Sequence, residues 1–403
     1  MSPERPCALA AMGIVNALGA DADEMWPRLL AGDPSGLILD ASLVPDRRLL
    51  VGAVRTPLPA IPAHLGRYAC RNNALALAAI QQIEPAIRAI RARVGRGRVG
   101  IVAGTSTSGV ADAEDAIRHH LATNQLAPSF DYAQLEFGGL GDFLAEYLDV
   151  GGPAYTLSTA CSSGARALAS ARSLLALGVC DAVVAGASDS LCRLTTNGFS
   201  ALQAVAEDVS NPCSANRKGL TLGEGAVMFL VTPEEHGVQL LGVGESCEAH
   251  HMSAPDPAGR GAEAAMRGAI DNAGVASTEI GYLNLHGTGT PLNDAMECEA
   301  VARVLGTGVA CSSTKPLIGH TLGAAGAMEA GFCWLALSAG VSGGALPIPP
   351  HCWDGVRDTT LPPIRLTTPG EHVNFADRRL VMSNSFGFGG NNCSLVLGRS
   401  DAC

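Results

Sequence analysis

Short apolar runs alternate along this chain with longer Ala/Leu-rich ones, and that alternation restricts it to layered α/β architectures. The runs VGIVAG (99–104), DAVVAGAS (181–188), AVMFLV (226–231) and RLVMSNS (379–385) are brief and bounded by turn formers. Segments of that length without polar alternation read as strands buried on both faces. Between them, 73–93, 164–178, 261–274 and 323–339 have helical composition, so strand and helix follow one another as in α/β folds. Polar, turn-rich sequence near Pro233–Gly237 divides the chain into halves, 1–236 and 237–403. At 403 residues, two core units or one unusually large one are expected. With 48 glycines and 4% aromatic residues, close packing of helix on sheet is predicted.

Several function classes drop out. The net charge of −11, without any Lys/Arg run, argues against nucleic-acid binding. The 13 cysteines are odd in number and form no C-x-x-C pair, so neither a disulfide framework nor a zinc ribbon is expected, and a reducing cytoplasm is the default. The N-terminal apolar run reads as a first buried strand rather than a signal peptide. The most membrane-like stretch, 323–346, carries Glu329 and several glycines and reads as a core helix, so no stable membrane insertion is expected.

Three segments carry chemistry: STACSSG (158–164), HGTGTP (286–291) and KPLIGHTLGAAG (315–326). Cys161 follows a strand-like stretch and precedes a helical one, which places its sulfur at a helix N-terminus. The helix dipole and free N–H groups there favour thiolate, the form that attacks acyl groups. Taken singly, each cysteine or histidine reads as a core residue. Taken together, Cys161, His286, His320 and Lys315 form a catalytic set. Glu329, in the middle of an apolar helix, needs a partner near Lys315 if it is buried. Asp294 and Glu297, at the start of a helix, cap or brace it. A zinc hydrolase is disfavoured because no H-E-x-x-H spacing occurs, so no metal is expected.

With LGEGA (222–226) and NSFGFGGNN (384–392), these motifs resemble the β-ketoacyl-[acyl carrier protein] synthases of the elongating Cys-His-His class, over nearly the whole length. The resemblance implies a thiolase-like five-layered αβαβα fold of two topologically similar halves. It also implies a dimer, either of identical chains or with a ketosynthase-like subunit. The implied reaction is decarboxylative Claisen condensation of a Cys161-bound acyl chain with malonyl carrier, elongating a fatty-acid or polyketide chain by two carbons. No cofactor of the enzyme's own is implied, because substrates ride on the phosphopantetheine of an acyl carrier protein. By the same resemblance His286 and His320 stabilise the enolate, and Lys315 shapes their environment. Phe388 gates the acyl pocket, and its N–H with that of Cys161 holds the oxyanion, with Gly387, Gly389 and Gly390 allowing close approach. Thr288 and Thr290 bind the phosphopantetheine arm, and Glu329 gives structural support.

Departures from the family pattern qualify this. Asn391 stands where threonine is common, which alters how the gate loop is anchored. Candidate carrier-docking cations are few: Arg67, Arg71, Arg217 and Lys218, with Glu207 and Asp208 nearby. The turn GTSTSG (104–109) is polar, with Thr107 as a substrate-binding residue where a bulkier apolar one often sits. That turn is similar to those of aryl-polyene ketosynthases, which work beside a second ketosynthase-like subunit. A CoA-dependent thiolase would need a second catalytic cysteine, for which Cys393 is poorly placed. A non-catalytic chain-length subunit would lack Cys161.

Overall fold

The computed structural model describes residues 7–45, 47–339, 345–375 and 378–399. The chain ends of both predicted halves, and the part of the apolar 323–346 stretch at 340–344, lie outside the described residues. Each half builds its strands in the same chain order. In the first half the strands of the main sheet are β1 (Ala8–Val15), β2 (Val99–Gly104), β3 (Ala154–Leu157), β4 (Ala182–Asp189) and β5 (Gly225–Thr232). In the second they are β6 (Val238–Cys247), β7 (Ile280–Asn284), β8 (Ala310–Ser312), a short edge strand β9 (Arg365–Leu366), β10 (Arg379–Gly387) and β11 (Asn391–Arg399).

The sheet order β9-β8-β7-β10-β11-β6-β1-β5-β4-β2-β3 is nearly a mirror about its middle. In each half the last strand pairs antiparallel with two neighbours, the first strand of that half and the strand before it (β5 with β1 and β4; β11 with β6 and β10). The remaining pairings within each half-sheet are parallel. The half-sheets join where Ala8 pairs with Gln239. This is the duplicated topology the resemblance implied.

The helices supply the other layers: α1 (Arg71–Val94), α2 (Gly139–Leu148), α3 (Ser163–Ala176), α4 (Arg260–Ala273), α5 (Pro291–Leu305) and α6 (Ala325–Ser338). The pair α3 and α6 lies between the half-sheets and touches strands of both, while α1 with α2 and α4 with α5 cover the outer faces. Strand periodicity explains why the runs show no polar alternation. Val227, Phe229 and Val231 of β5 enter the central core, and Ala226, Met228 and Leu230 enter the outer core beneath α1. Small residues let α3 and α6 approach closely; a Cβ on Gly164 would lie 2.7 Å from the backbone nitrogen of Ala327. No described helix is long and apolar enough to cross a membrane.

Candidate active site

Cys161 lies on a sharp turn between β3 and α3. Ala160 takes a left-handed φ of 52°, a conformation costing roughly 1 kcal/mol for a residue with a Cβ. Neighbouring hydroxyls hold the turn: Ser163 Oγ donates to Ala160 O (2.6 Å), Ser162 Oγ donates to Thr159 O (2.8 Å), and Thr159 N–H donates to Ser163 Oγ (2.9 Å). The two serines after the nucleophile are thus structural, a role local sequence does not announce.

His320 follows Gly319, whose φ of 76° suits glycine, and the start of the LGEGA segment, with Thr221 just before it, clamps it. His320 N–H donates to Thr221 O (2.7 Å), and Gly223 N–H donates to His320 O (2.9 Å). Leu322 N–H donates to His320 Nδ1 (3.1 Å). With Nδ1 accepting, the neutral ring carries its proton on Nε2, which lies 3.2 Å from Cys161 Sγ. His286 stands at the end of β7 with its ring centroid 5.3 Å from that of His320, nearly perpendicular at 84°. Burial, and then the charge of Lys315, hold both imidazoles well below their ordinary pKa, so both are neutral near pH 7.

Lys315 is 1% exposed, and its Nζ binds the carbonyl of His286 and the carboxylate of Glu329. The partner that Glu329 required is therefore Lys315 itself. Burial raises Glu329 to about 7 against the pull of that lysine. Glu297 braces the histidine loop rather than capping its own helix: its oxygens accept from His286 N–H (2.8 Å) and Gly287 N–H (2.7 Å). Asp294 accepts from Cys213 N–H (2.8 Å) and Gly289 N–H (3.2 Å), tying a second loop to the same helix.

The helix-dipole argument at Cys161 is outweighed. Burial pushes its thiol up to about 11, against the opposing effects of the Lys315 charge and a hydrogen bond from Phe388 N–H. That Phe388 N–H reaches the sulfur because Gly387 has no Cβ, which would lie 3.0 Å from Thr159 O and 3.3 Å from Cys161 N. Gly389 turns the loop at φ 76°. Asn391, the departure from threonine, donates its side-chain amide to Phe388 O (3.4 Å) and so anchors the loop from within. The Phe388 ring meets Phe199 at 5.4 Å between centroids, a partner no motif pointed to.

A cavity of about 260 Å³ reaches Cys161, His286 and His320 past Phe199, Leu220 and Phe388. Thr288 and Thr290 lie on its wall with their hydroxyls 2.9 Å apart. Thr107 is not among the residues lining this cavity. Its side chain is fully buried, and Oγ1 donates to Asp189 (2.8 Å). The polar turn exists to satisfy that carboxylate.

Two of the four candidate docking cations are also committed elsewhere. Arg71 pairs with buried Glu224, and Arg217 with Asp358 (2.5 Å). Arg67 and Lys218 remain exposed. Cys393 faces the central core with its thiol pushed well up by burial, remote in character from a catalytic base.

The sulfur and two imidazoles lie within 4.8 Å of one another, a set that resembles three zinc ligands. The His320 tautomer opposes that use. A metal-bound histidine donates from its other nitrogen, whereas Nδ1 here accepts, leaving Nε2 to offer a hydrogen rather than a lone pair.

Comparison with known proteins agrees in family. The beta-ketoacyl synthase N-terminal domain matches residues 72–237, and the beta-ketoacyl synthase C-terminal domain matches 238–347. A 3-oxoacyl-[acyl-carrier-protein] synthase 2 from Coxiella burnetii (strain RSA 493 / Nine Mile phase I) is 30% identical over 98% of this chain and 99% of that one. One of the same name from Rhizobium meliloti (strain 1021) is 38% identical, the match spanning 62% of this chain and 61% of that relative. Among solved structures, the ketosynthase of Xenorhabdus doucetiae, determined in complex with its chain length factor, is 42% identical with a TM-score of 0.91 over 98% of both chains. The duplicated layers, the Cys-His-His geometry and these matches agree that the chain belongs to the β-ketoacyl synthase family.

Proposed function

We propose that this protein joins a Cys161-bound acyl chain to the two-carbon unit of a malonyl thioester on an acyl carrier protein, with loss of CO₂. The observation that carries the assignment of roles is His320 Nε2–H, 3.2 Å from Cys161 Sγ and fixed in that tautomer by Leu322 N–H. In the first half-reaction Cys161 sulfur attacks the acyl thioester carbonyl, and its proton leaves with the departing pantetheine thiol. The tetrahedral oxyanion is held by the N–H groups of Cys161 and Phe388.

In the second half-reaction the malonyl C–C bond breaks, CO₂ leaves, and the electron pair forms an enolate whose oxygen accepts from His286 and His320. The enolate carbon then bonds to the acyl carbonyl, and Cys161 departs as thiolate. Two neutral imidazoles suit this role because an enolate needs donors fixed in advance in a dry site. Burial, reinforced by the charge of Lys315, keeps them neutral, and Lys315 Nζ holds the carbonyl of His286 in place. Thr288 and Thr290 hold the amides of the phosphopantetheine arm along the cavity wall.

The partner is a second chain of the same fold, either another copy or a chain-length-factor-like subunit. The support is a band of exposed apolar side chains at 117–137: Ile117 56%, Leu121 81%, Leu126 46%, Tyr132 66% and Phe137 48% exposed. The substrates in this reading are aryl-primed or polyunsaturated acyl carriers of an aryl-polyene type pathway in the cytoplasm, supported by the likeness to the ketosynthase solved with its chain length factor.

Intact-mass spectrometry of wild type and Cys161→Ala after incubation with a panel of acyl carriers, followed by malonyl carrier and product analysis, tests the reading. Adducts on wild type only, with release of a chain two carbons longer, are expected. Equal labelling of the variant would remove Cys161 from its role. Equal or better turnover of plain saturated chains would remove the aryl-polyene assignment.

A further inference from the structure

The most heavily hydrogen-bonded side chain near the site belongs to no motif. Asp189, the last residue of β4, is fully buried, and its carboxylate collects donors from two other segments. From the turn after β2 come Thr105 Oγ1 (2.6 Å), Ser106 N–H (2.8 Å), Ser106 Oγ (2.6 Å), Thr107 N–H (2.8 Å) and Thr107 Oγ1 (2.8 Å). From the segment after His320 comes Gly323 N–H (2.5 Å), which is also 3.1 Å from Ser106 Oγ. Every donor in that set is a neutral hydroxyl or backbone N–H, so the carboxyl group is held by hydrogen bonds alone. A carboxylate would be expensive to maintain here unless its geometry mattered.

What it holds is the backbone beside the tautomer-setting hydrogen bond. Gly323 is adjacent to Leu322, whose N–H donates to His320 Nδ1, and Leu322 sits in a left-handed conformation at φ 53°. A residue with a Cβ keeps that conformation only when its surroundings impose it. Asp189 is placed to do so by gripping the next peptide, and a Cβ on Gly323 would lie 2.7 Å from Asp189 Oδ2. The 104–109 turn is the counter-anchor, which explains why a segment beside the active site carries so many hydroxyls.

We infer that Asp189 is a positioning residue for the condensation: through Gly323 N–H it fixes the Leu322 peptide, and thereby keeps His320 as the Nε2–H tautomer aimed at Cys161. The inference rests on the functional reading above for its effect on turnover, but not for its effect on the histidine.

The test uses full-length protein labelled with ¹⁵N-histidine, with His320 assigned by loss of its signals in His320→Asn. Wild type is expected to show a protonated Nε2 and a bare, accepting Nδ1 at His320. In Asp189→Asn the second acceptor oxygen becomes a donor facing Gly323 or Ser106, so His320 is expected to report mixed tautomers. The kcat of condensation should fall about 10–100-fold, with KM for malonyl carrier within about twofold. Ser106→Ala, which keeps the carboxylate, should give the same changes in weaker form. It decides the matter if Asp189→Asn does not fold. An unchanged His320 signature and unchanged kcat in whichever folded variant is measured would overturn the inference. A changed signature in an enzyme whose wild type condenses no carrier substrate would leave the positioning role standing and sink the functional reading instead.

Discussion

Lys315 and Glu329 form an ion pair in which each residue is at most 2% exposed. Removing one member of such a pair strands a charge in a medium that solvates it poorly, at a cost of about 3–5 kcal/mol. Lys315→Ala is therefore expected to lower the unfolding free energy by that amount in urea titrations, and Lys315→Met with Glu329→Gln together should recover most of it. Cys161 gives a second prediction at this scale. With its thiol near 11, alkylation by iodoacetamide should keep rising about tenfold per pH unit from 7 to 10 rather than level off at 8.5. Motifs made Cys161, His286, His320 and Lys315 legible because each stands in a short run whose chemistry is recognisable. Thr107 shows the limit of such reading: its hydroxyl is spent on Asp189, 82 residues away, and nothing local reveals the acceptor. Phe199 was equally hidden, since its meeting with Phe388 depends on how a distant helix crosses the loop.

Helix α5 works as a clamp for the histidine loop, through Glu297 on His286 and Gly287 and through Asp294 on Gly289. Its sequence announced acidic residues in the first turns, which suggested capping, but their acceptors turn outward to a preceding loop. Burial raises Glu297 from 4.5 to about 7, so between those values the native state binds more protons than the unfolded chain. Its contribution to stability is fully present below about 4.5 and is lost as pH rises through about 7. Glu297→Gln abolishes this linkage. The difference in unfolding free energy, wild type minus variant, should therefore shrink by about 2–3 kcal/mol between pH 5 and pH 8. A difference that stays flat, or grows with pH, in denaturant titrations across that range would show that Glu297 is ionised in the native protein throughout.

The two halves repeat a strand order while sharing a central pair of helices, so neither half has a complete core of its own. Residues from β1, β4 and β5 meet residues from β10 and β11 around α3 and α6 in a single cluster. Strand and helix content was readable from apolar run lengths. The duplication was legible only through the family resemblance, because pairing order depends on contacts between segments far apart, and the two halves share no visible repeat. The same architecture leaves an edge strand at each end of the sheet, and the one in the first half is β3. Strand β3 pairs only with β2 among the described residues, and the exposed apolar band from Ile117 to Phe137 belongs to the same half. Exposed apolar side chains grouped in this way mark a surface that another chain covers. Leu121, 81% exposed, has no packing role within its own chain. Leu121→Asp should consequently leave the melting temperature of the single chain within a few degrees while lowering the mass seen by light scattering from two chains to one. A two-chain mass that survives the substitution would place the interface elsewhere, with the β3 edge as the remaining surface of the first half able to add a strand from a neighbour.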